Sequence, residues 1–472
     1  YEAAVRVYAV AAQKAERQNA RMTKGLGRVV SRALMRIRGR QDLGTGPRDR
    51  HRQAELMTKL NRALQRTRSA SLDEAFQKSD RSLVLMREAF KLDPAAPGVA
   101  AELLDYHHRF AALLGFPATW EALLDTAEAA NKALGNQPLI LKYRGIARAA
   151  LAPTRDRTQE ELARARDDLA KAIAAAPDDW ELIEALARTE LLLAGQMKRT
   201  GMTDGADQLR QSAYAVVRAP LSRQPDSITA RITQLVILLE DGRLNPESAD
   251  LEQVEARLAG LKTALPEADE PQVRRLARAL LAADGPDADG PFAALTPRLS
   301  LQAAALLTAH LERHPHDVVC TFLLAGQRWA HGYRDDAVRL YREIAAWDDP
   351  PPSALATREG FLVKLMSVEG LAGVLLDDAE RAALARKDPS DLVAEVGGLL
   401  DQRDLMAARA RIAGGQAERL RARERLLQRR PAAAAPLCIS LPPETDPALA
   451  QALLYSGLCL DDLGESGAAA ER

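Results

Sequence analysis

Apolar positions recur every three or four residues along most of the chain, the period of an amphipathic helix, and the stretches repeatedly close in a short loop containing proline. Ala89-Phe90-Lys91-Leu92-Asp93-Pro94, Ala172-Ile173-Ala174-Ala175-Ala176-Pro177 and Leu311-Glu312-Arg313-His314-Pro315 show the pattern, and related prolines stand at Pro138, Pro225, Pro266, Pro350 and Pro431. Their mean spacing is about 42 residues, with the long gap from Pro350 to Pro431 fitting two units. A period of this size is the mark of a repeat array. No run alternates Val, Ile or Thr between hairpin turns, and no apolar stretch approaches the roughly 18 residues a membrane span needs.

The N-terminal pattern differs. Met22, Leu26, Val29, Val30, Ala33, Leu34 and Ile37 form one stripe of a helix, with Arg21, Lys24, Arg28, Arg32, Arg36 and Arg38 opposite. Such a cationic helix can lie on an anionic membrane, dock on nucleic acid, enter an acidic protein groove, or pack its stripe on the first repeat with its arginines solvated. Gly25 and Gly27 each weaken it in isolation by about 1 kcal/mol, favouring a helix that forms against something. Residues 39–50 lack a stripe and read as a linker; Ala283–Pro297, Pro350-Pro351-Pro352 and Arg430–Pro447 read as further flexible stretches. The organisation expected is a basic helix and linker over 1–50, repeats over 51–282, and repeats over 283–472 cut within the last unit.

Within the array, the segment after Pro315 carries Ala325, Gly332, Ala337 and Tyr341, and a C-terminal stretch places Gly457 and Gly464 seven residues apart with Ala469 five further on. In these positions the sequence resembles the tetratricopeptide repeat family. The resemblance implies two antiparallel helices per unit, a turn glycine at Gly332, small residues at the helix crossing and a proline after the second helix. Leu186-Ala187 with Ala213 and Pro225 gives a third, partial match, read as interrupted by an insertion around Met197–Gln208. It covers roughly residues 50–472, with most units longer than the family's. The long units also fit neighbouring helical-repeat families. The fold expected is all-α: a right-handed superhelical solenoid of about 8–10 antiparallel pairs, each burying its apolar face against its neighbours. The asparagines Asn19, Asn61, Asn131, Asn136 and Asn245 do not fall where some members of the family clamp an acidic chaperone tail, which argues against that partner.

Candidate chemistry is sparse. There is no phosphate-cradling glycine loop, His-Glu-x-x-His, nucleophile elbow or kinase loop set. His310, His314 and His316 come nearest to a metal site, the first two one turn apart; the competing reading buries His310 and leaves the other two beside a helix C-terminus. His107 and His108 point about 100° apart on a helix and cannot share an ion. Trp120, Trp180, Trp329 and Trp347 read mainly as filling between helices, Trp180 being the most open because it starts a helix. Cys320, Cys438 and Cys459 are too scattered for a disulfide framework and read as small buried hydrophobes.

Composition sharpens this. The chain is 47% hydrophobic and only 4% aromatic, the profile of closely packed helices. A net charge of zero conceals 17 Lys and Arg against 5 Asp and Glu in residues 1–72, leaving 48 against 60 elsewhere. Beginning at Tyr1 and ending after an Ala run, the sequence reads as a fragment. The function expected is a binding scaffold or assembly subunit, without catalysis, cofactor, metal or small-molecule substrate. Its partners would be proteins, with an anionic membrane surface or nucleic acid available to Arg21, Lys24, Arg28, Arg32 and Arg36. Rival readings are the regulatory repeat region of a larger enzyme, such as a membrane-anchored kinase, and a basic helix that docks while the repeats position it. The location expected is cytoplasmic or membrane-peripheral.

Overall fold

Helix boundaries follow the local chemistry. Ser71, Asp179, Ser227, Asp269 and Asp317 each turn a side-chain oxygen onto the first free amides of the helix that follows. At Asp269 the cap is reciprocal, since Gln272 Oε1 accepts from the Asp269 amide at 3.0 Å while Asp269 Oδ1 accepts from the Gln272 amide at 2.9 Å. Pro97 and Pro138 open their helices at a position that has no hydrogen bond to lose. Pro138 therefore begins a helix, unlike Pro94, Pro177, Pro225 and Pro315, which lie in loops. Pro297 lies in the first turn of a helix that starts at Thr296, so the stretch read as flexible to Pro297 ends sooner.

The computed structural model describes residues 71–115, 117–245, 251–262, 265–283, 296–350, 354–385, 387–410 and 417–429, with isolated positions between 50 and 69. Among them the helices are α1 (Leu72–Leu92), α2 (Pro97–Leu114), α3 (Pro117–Leu134), α4 (Pro138–Leu151), α5 (Thr158–Ala175), α6 (Trp180–Arg199), α7 (Thr203–Arg223) and α8 (Ile228–Leu244). They continue as α9 (Leu251–Lys262), α10 (Glu270–Ala282), α11 (Thr296–Arg313), α12 (Val318–Ala330), α13 (Arg334–Ala346), α14 (Ala354–Leu384), α15 (Ser390–Ala410) and α16 (Ala417–Arg429). No strand occurs among the described residues, and none of these helices is long and apolar enough to cross a membrane.

The chain divides into two compact units, residues 1–315 with 348–361 and residues 316–347 with 362–472. In the first, consecutive helices pack as antiparallel pairs, α2 with α3, α4 with α5, α6 with α7, α8 with α9, and α10 with α11. The even-numbered helices α2 to α10 also touch in series, so the pairs stack in two layers, the all-α solenoid of tetratricopeptide-like helix pairs that the resemblance implies. Its core is a series of apolar clusters, one holding Leu104, Leu123 and Ile140, the next Leu169 and Leu182, the next Ile183, Ala213 and Ile237, and the last Leu235, Leu276 and Leu299. Residues 197–208 are no insertion: they extend α6 and α7, whose joint is a tight turn with Gly201 at φ 83°.

In the second unit α12 and α13 form a pair, α15 packs with α16, and between them runs α14, 31 residues long. The gap from Pro350 to Pro431 thus holds one long helix and a pair.

Candidate functional site

The predicted repeat positions fall at the α12–α13 pair. Ala325 and Ala337 are fully buried, Tyr341 is buried, and Gly332 takes φ 80° at the turn. Ala325 sits on the apolar face of α12 with Val319, Cys320 and Leu324, so Cys320 is a buried core residue. Gly457, Gly464, Ala469, Cys438 and Cys459 lie outside the described residues, as do Arg21, Lys24, Arg28, Arg32 and Arg36 of the basic helix. His310 is fully buried in α11; its ring stacks on that of the exposed His314 with centroids 4.6 Å apart, and His316 is exposed. The four tryptophans are all half-buried; the indole Nε1 of Trp180 donates to Gln224 Oε1 at 3.3 Å.

One dense group of chemistry-bearing side chains lies on the even-numbered layer, which sequence spacing alone did not reveal. Lys142 of α4 places Nζ 2.8 Å from Asp179 Oδ2 and 2.6 Å from Glu181 Oε2, while His108 Nδ1 of α2 stands 3.5 Å from Glu181 Oε1. Tyr143 donates its hydroxyl to Asp105 Oδ1 at 3.3 Å. Burial works to lower the Lys142 pKa, but the Glu181 and Asp179 carboxylates outweigh it and hold the ammonium above its ordinary value. A lysine kept charged is no nucleophile, so this cluster ties α2, α4 and α6 together. The lacing continues along the layer. Arg275 of α10 pairs with Glu184 of α6 and donates to Thr233 Oγ1 of α8 at 2.6 Å, and Arg188 of α6 stands 3.9 Å from Glu240 of α8. The even-numbered face is largely occupied with its own chain.

The odd-numbered layer is different at α7 and α9. Helix α7 turns Ala206, Ala213, Val217 and Pro220 inward, leaving Arg210, Tyr214, Arg218 and Ser222, four residues apart, on a neighbouring stripe. Helix α9 buries Val254, Leu258 and Leu261, leaving Gln253, Arg257 and Gly260 outside. Between the two stripes, with Leu238 of α8 beneath, opens a cavity of about 760 Å³. A second, of about 290 Å³, is lined by Leu221, Arg231, Gln234, Ala256 and Arg257. From the first cavity to the second the lining runs up α7 from Arg210 to Leu221, down α8 from Leu238 to Arg231, and up α9 from Gln253 to Gly260. That order is what antiparallel neighbours produce, so the two cavities form successive parts of one groove.

The groove is cationic. Arginines 210, 218, 231 and 257 line it, and among the described residues no carboxylate does. Arg210 is committed, its Nε 2.9 Å and Nη2 2.6 Å from the two oxygens of buried Asp241, which also accepts from the Tyr214 hydroxyl at 2.6 Å. Arg231 donates to Asp226 Oδ1 at 3.1 Å and to the Pro225 carbonyl at 2.9 Å. Arg218 and Arg257 are exposed and form no ion pair among the described residues. A signal for them existed in the sequence: neither has an Asp or Glu three or four residues away, whereas Arg164, Arg243 and Arg274 do.

No family model matches the sequence, and no curated protein matches it. Among solved structures the chain is similar to the human IFIT1 dimer with m7Gppp-AAAA, at 12% identity and TM-score 0.35, covering 91% of this chain and 94% of that one. It is also similar to Naa15/Naa10 bound to HypK-THB, at 13% identity and TM-score 0.21 over 98% of this chain and 73% of that one. A circular tandem repeat protein with a novel repeat topology aligns at 15% identity and TM-score 0.20, over 100% and 98% of the two chains. At these scores the fold rests on the helix packing described above.

Proposed function

We propose that this chain is a protein-binding scaffold and not an enzyme, with the α7–α9 groove as its principal docking surface. The observation that carries the reading is the groove itself. Arg210 to Ser222 on α7 alone spans about 18 Å at the helical rise of about 1.5 Å per residue, which suits a segment of another chain better than a metabolite enclosed in a pocket. The walls are helices whose other faces are fixed in the core, so the surface is preformed and little ordering accompanies binding. Leu238, Ala215 and Ala219 give it an apolar floor, and Gln211, Gln253 and Ser222 line it with uncharged polar groups.

The polar clusters elsewhere support the same reading. Their charged atoms are spent on each other across helices, as at Lys142, Asp179 and Glu181. The test is affinity purification of the full chain from its native host, identification of co-purifying proteins, and reconstitution from purified components. A complex of fixed stoichiometry by light scattering is the expected result. If no purified candidate forms a complex, the scaffold reading falls.

A further inference from the structure

Resting on that scaffold reading, we infer that the α7–α9 groove takes an acidic protein segment, with carboxylates meeting Arg218 and Arg257 and small apolar side chains lying over Ala215, Ala219 and Leu238. Charge complementarity carries it. Among the described residues the lining holds four guanidinium groups and no carboxylate, and the two that the fold leaves uncommitted stand on different helices, Arg218 on α7 at the first cavity and Arg257 on α9 at the second. Elsewhere this chain pairs its arginines densely: Arg144 and Arg148 share Asp168, Arg166 meets Glu190, Arg421 meets Asp401, Asp404 and Glu424. Two arginines left open over one groove, in a chain with as many acidic as basic residues, mark a place where the acid comes from outside. Guanidinium suits the role because its planar fork receives a carboxylate through two parallel hydrogen bonds.

The same observations disfavour a nucleic acid strand. Single-strand grooves combine a dense cationic track with open aromatic faces on which bases stack. Here the one aromatic residue among the described residues of the lining, Tyr214, is half-buried with its hydroxyl held by Asp241, and Arg210 and Arg231 are neutralised by Asp241 and Asp226.

The probe is a short fluorescein-labelled peptide in which Glu alternates with Leu and Ala, titrated against the full chain by fluorescence anisotropy. A Lys-for-Glu peptide and a labelled oligouridylate serve as comparisons. Saturable binding of the Glu peptide, weaker at higher salt, is expected. Arg218→Glu combined with Arg257→Glu should lower the affinity at least about tenfold, while Arg199→Glu on the exposed end of α6 should leave it unchanged. Should the double reversal disturb the fold by circular dichroism, Arg218→Gln with Arg257→Gln carries the same test. The inference is overturned if wild type does not bind the Glu peptide, if the double variant binds it as well as wild type, or if oligouridylate binds more tightly through the same arginines. Reconstitution with the double variant separates the two readings. A purified partner held equally by wild type and variant leaves the scaffold standing and removes the acidic groove; a partner held by neither removes the scaffold itself.

Discussion

The ring of Phe361, early in α14, stacks on that of Phe76 in α1 with centroids 3.9 Å apart and planes inclined by 21°. Beside it the guanidinium of Arg358 lies 4.6 Å from the centroid of Phe110 and 5.2 Å from that of Phe76, with Nη1 3.5 Å from Asp80. Leu72, at the start of α1, donates its amide to the Asp348 carbonyl at 3.1 Å, across 276 residues of sequence. An array held only by contacts between successive helices would leave α1 without a tie to any distant segment. These contacts tie it to residues 348–361 of the same unit. Phe361 is 1% exposed, and Phe361→Ala should cost about 3–5 kcal/mol. Urea denaturation followed by circular dichroism should show the loss in the main transition; an unchanged midpoint would mean that α1 is held without this stack.

His107 lies buried on α2, and burial, with Arg87 and Arg358 nearby, pushes its imidazole down to about 4. In the unfolded chain it titrates near its ordinary value of about 6.5. Between those values the unfolded state takes up a proton that the folded state refuses, so stability falls as pH falls through the window and is unaffected by this group above it. The contribution lost between pH 7 and pH 5 is about 2 kcal/mol. Comparing urea midpoints of wild type and His107→Gln at both values isolates it, and the variant should lose correspondingly less on acidification.

Asp241, 2% exposed, receives Arg210 in a two-point contact and the Tyr214 hydroxyl, so a single carboxylate joins α8 to α7. The pattern repeats one pair earlier, where Glu190 of α6 accepts from Arg166 of α5 and Ser212 of α7. Asp241→Ala removes the acceptor that Arg210 and Tyr214 share and should cost about 3 kcal/mol, the low end for a broken buried pair because Arg210 is partly open to the groove. Arg210→Met combined with Asp241→Leu should recover most of that, because the expense lies in an unpaired charge rather than in the missing attraction. Thermal melts of the single and double variants measure the coupling.

The helical array was legible because its determinants are local. Gly332 supplies a left-handed turn and Ala325 and Ala337 supply closeness, and all three act within one pair at fixed spacing. Residues 197–208 misled because a turn built on Gly201 alone, amid polar residues, resembles a loop insertion until the flanking helices are seen to extend through it. The contact of α1 with residues 348–361 could not be read, since nothing at Phe76 or Leu72 specifies a partner so distant. The groove is an intermediate case. Arg218 and Arg257 lack a helical acid partner, which sequence shows, but an unpaired arginine on a helix is ordinarily just solvated, and only the placement of α7, α8 and α9 puts the two over one cavity system.

The α13–α14 contact gives the sharpest test of close approach. Ala337 is fully buried in α13, so Ala337→Arg both overpacks the crossing and buries a charge, at a cost of several kcal/mol, about 3 or more. One turn on, the Tyr341 ring lies against Gly370 of α14, where an added Cβ would meet the ring's Cζ at 2.7 Å and Cε1 at 2.9 Å. The ring is buried and has no open side to swing toward, so Gly370→Ala should cost about 1–3 kcal/mol although alanine is the better helix former. Shortening the ring should release the clash. Tyr341→Leu alone destabilises by loss of packing, yet combined with Gly370→Ala it should be less harmful than the two separate costs together, a coupling of about 1 kcal/mol read from a double-mutant cycle of urea midpoints. Strict additivity would mean that α14 shifts away from α13 to admit the methyl group, and that the glycine is not what allows the two helices to approach.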